Sequence, residues 1–460
     1  KTSKIAINYV IGILDNSDND VYWVNSSKIS KSEIIIYMEK DCINNRGLDG
    51  YEQSKKIIQK GFSYIFLDYE ISSLQKKLNI DKIHNPLTST INLINKNKSI
   101  SKVHNWIYLE ITNYANEIVY WYNFFKKLNI KIHTDPTETG DKNICKNIAL
   151  SFLNGLSIGK ERSLISDNFY AGFVGYYPND IFFTWGNRSA NNYLKTVNLK
   201  KNVIISGHPI VLRNKVNNKT NVFKSKPKFS ILLIDNYHSY NRDIPGQGVH
   251  TPFMKKFYEF FLNWVLQDDE FGLIIKTKKP HFQNSLNINN LLNKAKKTKR
   301  FYNSENPLID RGYHFANIVN LSVSINTSLS STLIENIILG NRGVHFDYMR
   351  SQIRNESIYK WGENKVIFNN FELFKTKILD FKNNNSNNQD IGNWSSYIHE
   401  IDPFQDSLSP SRIANYIDDL KQGYDNMFDK NEIIKKANKA YASKWGKDKI
   451  YFMKDLFNKI

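Results

Sequence analysis

Cysteine is almost missing from this 460-residue chain: Cys42 and Cys145 stand far apart, with no metal-ligand spacing around either. A disulfide framework and a cysteine-based zinc cluster are therefore unsupported. A reducing cytoplasm is the expected setting. Long apolar runs are missing too, and none reaches the roughly 18–20 residues that a membrane helix needs. The opening stretch KTSKIAINYVIGILDNSDND turns acidic and polar after a short apolar segment. It lacks a cleavable signal pattern, although Lys1 need not be the natural terminus, so any membrane contact is expected to be peripheral. Several catalytic signatures are absent. No Gly-x-x-x-x-Gly-Lys-Ser/Thr argues for a P-loop NTPase, and no His-Glu-x-x-His for a zinc protease. No Gly-x-Ser-x-Gly marks a nucleophile elbow.

Acidic residues are outnumbered, 44 against 63 Lys and Arg, for a net charge of +19. Such an excess suits anionic partners: nucleotide phosphates, acidic glycans, an anionic membrane or nucleic acid. Much of it reads as a generally solvated basic surface, since lysine alternates with asparagine in INKNK and FKNNNSNNQD. No nucleic-acid module accompanies the charge, so specific nucleic-acid binding is not expected. Hydrophobic residues at 41% and aromatics at 13% are enough to build cores, which excludes global disorder.

Along the chain, short β-rich runs alternate with amphipathic segments. KIAINYVIG, SEIIIYM, YIFLDY, IKIHTD, DIFFTWG and NVIISGHP read as strands. GYEQSKKIIQKG, WIYLEITNYANEIVYWYNFFKKLN, NICKNIALSFLNG and SANNYLKTVNL read as helices between them. A second series follows, with strands FSILLID, FGLIIKTKKP, LSVSIN and GVHFDY and helices TPFMKKFYEFFLNWVLQ, NINNLLNKAKK and SSTLIENIILG. This alternation predicts parallel, doubly wound sheets. The expected organisation is a first domain over 1–212, a polar linker over 213–228, a second domain over 229–400 and a helical tail over 401–460. In open α/β sheets ligands sit beyond the carboxyl ends of the strands, so two such domains predict a cleft holding a donor on one side and an acceptor on the other.

The most informative segment is VSINTSLSSTLIENIILGNRGVHFDY. A strand ends near Ile325, a hydroxyl-rich turn follows from Asn326 through Ser330, Ser331 and Thr332, and a helix then carries Glu335. Main-chain N–H groups at a helix start favour phosphate, and Glu335 is placed to accept from ribose hydroxyls. The alternative is an ordinary N-capped helix with Glu335 in a capping or solvent role. FGLIIKTKKPHF delivers Lys276, Lys278, Lys279 and His281 to a strand end, where cations would neutralise phosphates. IPGQGVHTPF offers Gly246 and Gly248 for close backbone approach, with His250 beside them as a further contact or a packing residue. KIHTDPTETGDK concentrates Asp135, Glu138 and Asp141 ahead of a helix. One of these carboxylates, Asp135 or Glu138 ahead of Asp141, can serve as a base or nucleophile, or the segment is simply a turn. His208 before the linker either contacts ligand or packs at a hinge.

Hydroxyl residues, a helix with a glutamate, then a glycine and a short strand resemble the nucleotide-sugar half-site of GT-B glycosyltransferases. Ser330, Ser331, Thr332 and Glu335 carry the match, with Gly340 and GVHFD following. The lysine segment resembles the Lys-x-His-Pro stretch of capsule and sialic-acid transferases, except that Lys279 stands where those carry histidine before Pro280. The acidic segment is similar to the Asp/Glu-Gly motif of bacterial sialyltransferases. The run IDPFQDSLSPSRIANYIDDL resembles the ending of bacterial surface carbohydrate biosynthesis proteins of capsule and lipopolysaccharide. The resemblance starts near WIYLEITNYANEIVYWYNFF and implies two Rossmann-like domains facing a cleft, with C-terminal helices crossing back. It further implies a metal-independent transferase with a CMP- or UDP-linked sugar as co-substrate and a glycan or lipid-linked acceptor. No Asp-x-Asp stands where metal-dependent GT-A enzymes carry one. The same pattern occurs in nucleotide-sugar 2-epimerases and in teichoic-acid polymerases. Glycosyl transfer is the leading expectation, with a nucleotide-sugar 2-epimerase and a non-catalytic polyanion-binding protein as the alternatives.

Overall fold

The computed structural model describes residues 2–8, 23–39, 50–67, 102–135, 141–161, 177–194, 202–209, 221–234, 251–277, 286–304, 318–327, 330–347, 357–383 and 390–452. Within them the chain forms two compact units. One gathers Lys1–Arg162, Tyr170–Val211 and Asp406–Ile460, and the other takes Leu212–Gln405.

The first unit is built on an eight-stranded sheet in the order β14-β7-β6-β5-β4-β1-β2-β3. Its strands are β1 (Lys4–Asn8), β2 (Ile34–Glu39), β3 (Ser63–Leu67), β4 (Ile130–Thr134), β5 (Leu156–Lys160), β6 (Ile181–Thr184), β7 (Asn202–Ile205) and β14 (Ile450–Phe452). The helices between them are α1 (Gly50–Gln59), α2 (Lys102–Leu128), α3 (Asp141–Ser151) and α4 (Asn187–Leu194). Runs such as IIIYME are buried along their whole length, as strands covered on both faces must be. The winding leaves β1 toward β2 and β3, then returns to the other side of β1 at β4, so β1 and β4 form the switch point.

The second unit has six parallel strands in the order β10-β9-β8-β11-β12-β13. They are β8 (Phe229–Ile234), β9 (Phe271–Lys276), β10 (Phe301–Ser304), β11 (Leu321–Asn326), β12 (Gly343–Phe346) and β13 (Ile367–Phe368). Helices α5 (Thr251–Gln267), α6 (Asn289–Lys297), α7 (Ser331–Ile338), α8 (Ser357–Gly362), α9 (Phe371–Lys382) and α10 (Ile398–Ile401) complete it. The core on one face is aromatic: Phe257, Phe261 and Trp264 of α5 pack with Phe271, Phe346 and Phe374. Its switch point lies between β8 and β11.

The doubly wound architecture is the one expected from the sequence. The carboxyl-terminal helices α11 (Ser409–Asp425) and α12 (Lys430–Trp445) return to the first sheet, where Ile413, Ile417, Leu420 and Tyr441 share a core with Ile132, Ile158 and Ile204. The tail is not helical throughout: β14 adds an antiparallel edge strand against β7. Of the expected linker, residues 213–220 lie outside the described residues. Residues 221–228 pack against the second sheet, with Phe223 buried and Pro227 against Gly272. The chain there holds its place through the N–H groups of Lys224 and Ser225, which donate to the Lys299 carbonyl.

Because Ile417 is fully buried between α11 and the first sheet, Ile417→Ala is expected to lower stability by about 2–5 kcal/mol. Urea unfolding of the full chain measures it. A loss below about 0.5 kcal/mol, as for a surface position, would show that these helices do not complete the first core.

Candidate functional site

The carboxyl edge of the second sheet is set by strand register. Lys276, Ile234, Asn326 and His345 lie side by side across β9, β8, β11 and β12. The two strands at the switch point are tied by Asn326, whose Nδ2 donates to the Ile234 carbonyl at 2.9 Å. Asn326 is completely buried, so it fastens strand ends instead of contacting a ligand. From this point the chain enters α7. Ser330 is its N-cap, its Oγ accepting from the Leu333 N–H at 3.3 Å. The N–H groups of Ser331 and Thr332 have no acceptor within a helix and join the positive end of the helix dipole. Ser330, Ser331 and Thr332 are half-buried.

Glu335 sits one turn into α7, half-exposed. Ser330 caps the helix without it, because the capping-box position is held by Leu333. Lys276 is half-buried at the end of β9, one strand beyond the switch point. Thr277 follows it and donates to the Ser304 carbonyl at 2.9 Å. Gly246, Gly248, His250, Lys278, Lys279, His281 and Ser328 lie outside the described residues.

The carboxyl edge of the first sheet holds a buried charge cluster that the sequence only partly disclosed. Asp135 follows β4, and its Oδ2 accepts from Asn8 Nδ2 at 2.9 Å and from Lys146 Nζ at 3.2 Å. Lys146, on α3, also donates to Glu39 Oε1 at 2.6 Å, and Lys142 reaches Glu39 Oε2 at 3.3 Å. The Lys146 ammonium lies 4.7 Å from the Trp121 ring centroid. Burial alone would lower the pKa of Lys146, but Tyr37, Asp135 and Glu39 outweigh it and hold the ammonium well above its ordinary value. Glu117 on α2 is also raised, in its case first by burial, while Trp121 Nε1 donates to it at 3.3 Å. Tyr37 and His133 share a hydrogen bond of 2.7 Å between the hydroxyl and Nε2.

This arrangement changes the reading of Asp135. Its side chain is inaccessible and engaged with Lys146 and Asn8, so it ties β1, β4 and α3 together at the switch point. As placed, it does not present a carboxylate to a substrate. Asp141 opens α3, and Glu138 lies outside the described residues. Asn8, Glu39 and Lys146 went unnoticed in the sequence. The available signal was a polar residue ending each apolar strand, together with lysines four apart at 142 and 146.

His208 is buried and packs on Trp185, with ring centroids 4.2 Å apart. The turn before it is clamped from the tail. Ser409 Oγ donates to the Gly207 carbonyl at 2.9 Å, Arg412 Nη1 to Ser206 at 3.2 Å and Tyr441 to Ile205 at 2.7 Å. Gly207 adopts φ +85°, a conformation that glycine takes without strain. Packing, not ligand contact, accounts for His208. Glu161, at the end of β5, accepts from Trp185 N–H at 2.8 Å and Ser189 Oγ at 2.5 Å. Among the described residues, no group of three or more His, Cys, Asp or Glu could hold a metal ion, and no helix is long and apolar enough to cross a membrane.

No protein-family model matches the chain, and no curated sequence matches it significantly. Solved structures do. The S. aureus MnaA–UDP co-structure superposes with a TM-score of 0.51 at 11% identity, covering 93% of this chain and 98% of that one. The UDP-GlcNAc 2-epimerase of Methanocaldococcus jannaschii gives a TM-score of 0.50 at 13% identity, over 91% and 99%. At such identities the likeness is one of fold: the two Rossmann-like units are those of the GT-B architecture.

Lys146→Met leaves two buried carboxylates without their shared cation and is expected to cost about 3–5 kcal/mol. A triple neutral variant (Glu39→Gln, Asp135→Asn, Lys146→Met) should recover much of that loss. Chemical unfolding decides it, and a full-stability Lys146→Met would mean the cluster carries no buried charge. A second expectation concerns acid. Burial holds His133 and His208 near pKa 3, against an ordinary 6.5. The unfolded chain therefore binds more protons between these values, and stability falls as pH drops from 6.5 toward 3. The slope reaches up to about 1.4 kcal/mol per pH unit for each histidine. His208→Gln should flatten the measured dependence, and an unchanged slope would contradict the burial.

Proposed function

We propose that this chain is a UDP-sugar enzyme and that its reaction is 2-epimerisation of the sugar, ahead of transfer to an acceptor. One observation carries the nucleotide part: the hydroxyl-lined tip of α7 stands at the switch point of the second sheet, where doubly wound folds bind ligands. There the main-chain N–H groups of Ser331 and Thr332 and the hydroxyls of Ser330, Ser331 and Thr332 can donate to a diphosphate. Glu335, half-exposed on the next turn, accepts from the ribose hydroxyls. Lys276, on the same edge, offsets phosphate charge. This reading calls for no metal cofactor.

The preference for epimerisation is supported by the neighbouring fold of the M. jannaschii 2-epimerase, while the UDP held in the MnaA co-structure supports a uridine nucleotide. Transfer of the sugar to a glycan or lipid-linked acceptor is the second reading. The net charge of +19 favours it, since it suits an acidic glycan or an anionic leaflet. Synthesis of a bacterial surface polysaccharide is the setting that the sequence resemblance implies for either reaction.

UDP is expected to raise the unfolding temperature of the full chain more than CMP or GDP do. Glu335→Ala should weaken UDP at least about tenfold, the loss of roughly one good hydrogen bond to a charged group, without changing the unfolding temperature of the unliganded protein. Unchanged UDP affinity in calorimetry would remove the proposed ribose contact. Incubation with UDP-GlcNAc alone separates the two reactions. An epimer formed without acceptor supports the first reading, while intact donor that is consumed only when a glycan acceptor is added overturns it in favour of transfer.

A further inference from the structure

A buried polar seam lies directly under the helix tip. On β11, Val323 and Ile325 point into the aromatic core, as Val344 and Phe346 do on β12. Side chains alternate along a strand, so Ser324, Asn326, Gly343 and His345 occupy the opposite face. That face is covered by α7: a Cβ added to Gly343 would lie 2.6 Å from Ile337 and 3.1 Å from Leu333. This fixes the height of His345. Gly343 sits level with the middle of α7. His345 is two residues nearer the carboxyl edge, roughly 6.6 Å along the strand. At 1.5 Å per helical residue that is about four residues back along α7, which brings His345 level with Ser330 and Ser331.

An apolar residue would fill such a place at no electrostatic cost. Instead Ser324 and His345 are both 0% exposed; Ser324 Oγ makes no hydrogen bond, and the His345 ring reaches only the Asn326 main chain, at a geometry short of a regular hydrogen bond. Buried polar atoms are nearly always paired, so an imidazole left in this state beneath an anion-binding helix start points to a partner that arrives with a ligand. The surrounding charges are few. Asp347, two residues on, is buried and accepts from the Tyr359 hydroxyl at 2.6 Å. Glu335 is the one titratable group of α7, β11 and β13 contribute none, and Asp390 near Gly343 is exposed and paired with Lys365. Burial lowers the pKa of His345 to about 4, partly opposed by Asp347 and the Asn326 main chain, so the ring is neutral at physiological pH.

We propose that His345 is a ligand-binding residue of the nucleotide site: when a nucleoside diphosphate seats on the α7 tip, the imidazole takes a second proton from solvent and donates a hydrogen bond to a phosphate oxygen. The proposal rests on the nucleotide-sugar reading above and adds to it a coupling between binding and proton uptake. An imidazolium beneath the helix start adds a full positive charge to the dipole's partial one. It would favour the doubly charged diphosphate over singly charged or neutral ligands.

The test is calorimetry of UDP-GlcNAc binding to the full chain at about pH 6, just below the ordinary histidine value, in buffers of different ionisation enthalpy. UDP-GlcNAc serves as the probe because its diphosphate diester has no titrating group of its own near that pH. The wild-type heat should vary with buffer as for proton uptake. His345→Gln should lose that dependence and bind about tenfold more weakly, as expected for one charge-assisted hydrogen bond. Buffer-independent heat in the wild type, or uptake that survives in His345→Gln, overturns the proposal while leaving the nucleotide site standing. Absence of binding by both UDP and UDP-GlcNAc overturns the nucleotide reading itself. Should His345→Gln not fold, wild-type imidazole ¹⁵N spectra decide. One histidine moving to imidazolium shifts on addition of UDP-GlcNAc supports the assignment, and no movement ends it.

Discussion

The amide of Asn326 donates to the carbonyl of Ile234 across the point where the second sheet reverses its winding. Parallel strands at a switch point send their crossovers in opposite directions, so their carboxyl ends would otherwise splay with main-chain groups unpaired. The bond closes that gap from within the sheet. It also fixes where the chain leaves β11, and so where Ser330 can cap α7. The proposed phosphate contacts and the placement of His345 both depend on that geometry, because each is measured from the tip of the same helix.

The first sheet meets the same demand with charge. Asn8 and Asp135 join β1 to β4, and Lys146 reaches from α3 to hold Asp135 and Glu39 together. Such a cluster is expensive to desolvate and is stable only while every member is present. It joins α3 to the ends of β1, β2 and β4. The same buried charges explain why Asp135, conspicuous in sequence as an acid in a turn, is committed to the scaffold.

Periodicity made most of the architecture legible. Runs such as FSILLI and FGLIIK have no polar face, which only a strand covered on both sides tolerates, and their alternation with amphipathic helices leaves few topologies. Short elements escaped. β13 has two residues and β14 three, too few for any period to show, and β14 forms only because α12 brings the chain back beside β7. At the candidate site, Ser330, Ser331, Thr332 and Glu335 were legible because cap, hydroxyls and acid are contiguous. His345 was not, since a lone histidine in a four-residue strand carries no pattern.

The sequence by itself determined the two α/β series, their order and the hydroxyl-rich helix start, because these depend on residues near one another along the chain. Tertiary structure alone decided which polar residues became scaffold and which stayed at the edge. Asp135 meets Lys146 eleven residues away and Glu39 through it, Asn326 meets Ile234 ninety-two residues away, and sheet register alone brings His345 level with the start of α7. A carboxylate, an amide or an imidazole has the same formula in either role. Its role follows from what the fold places against it and from whether water can still reach it.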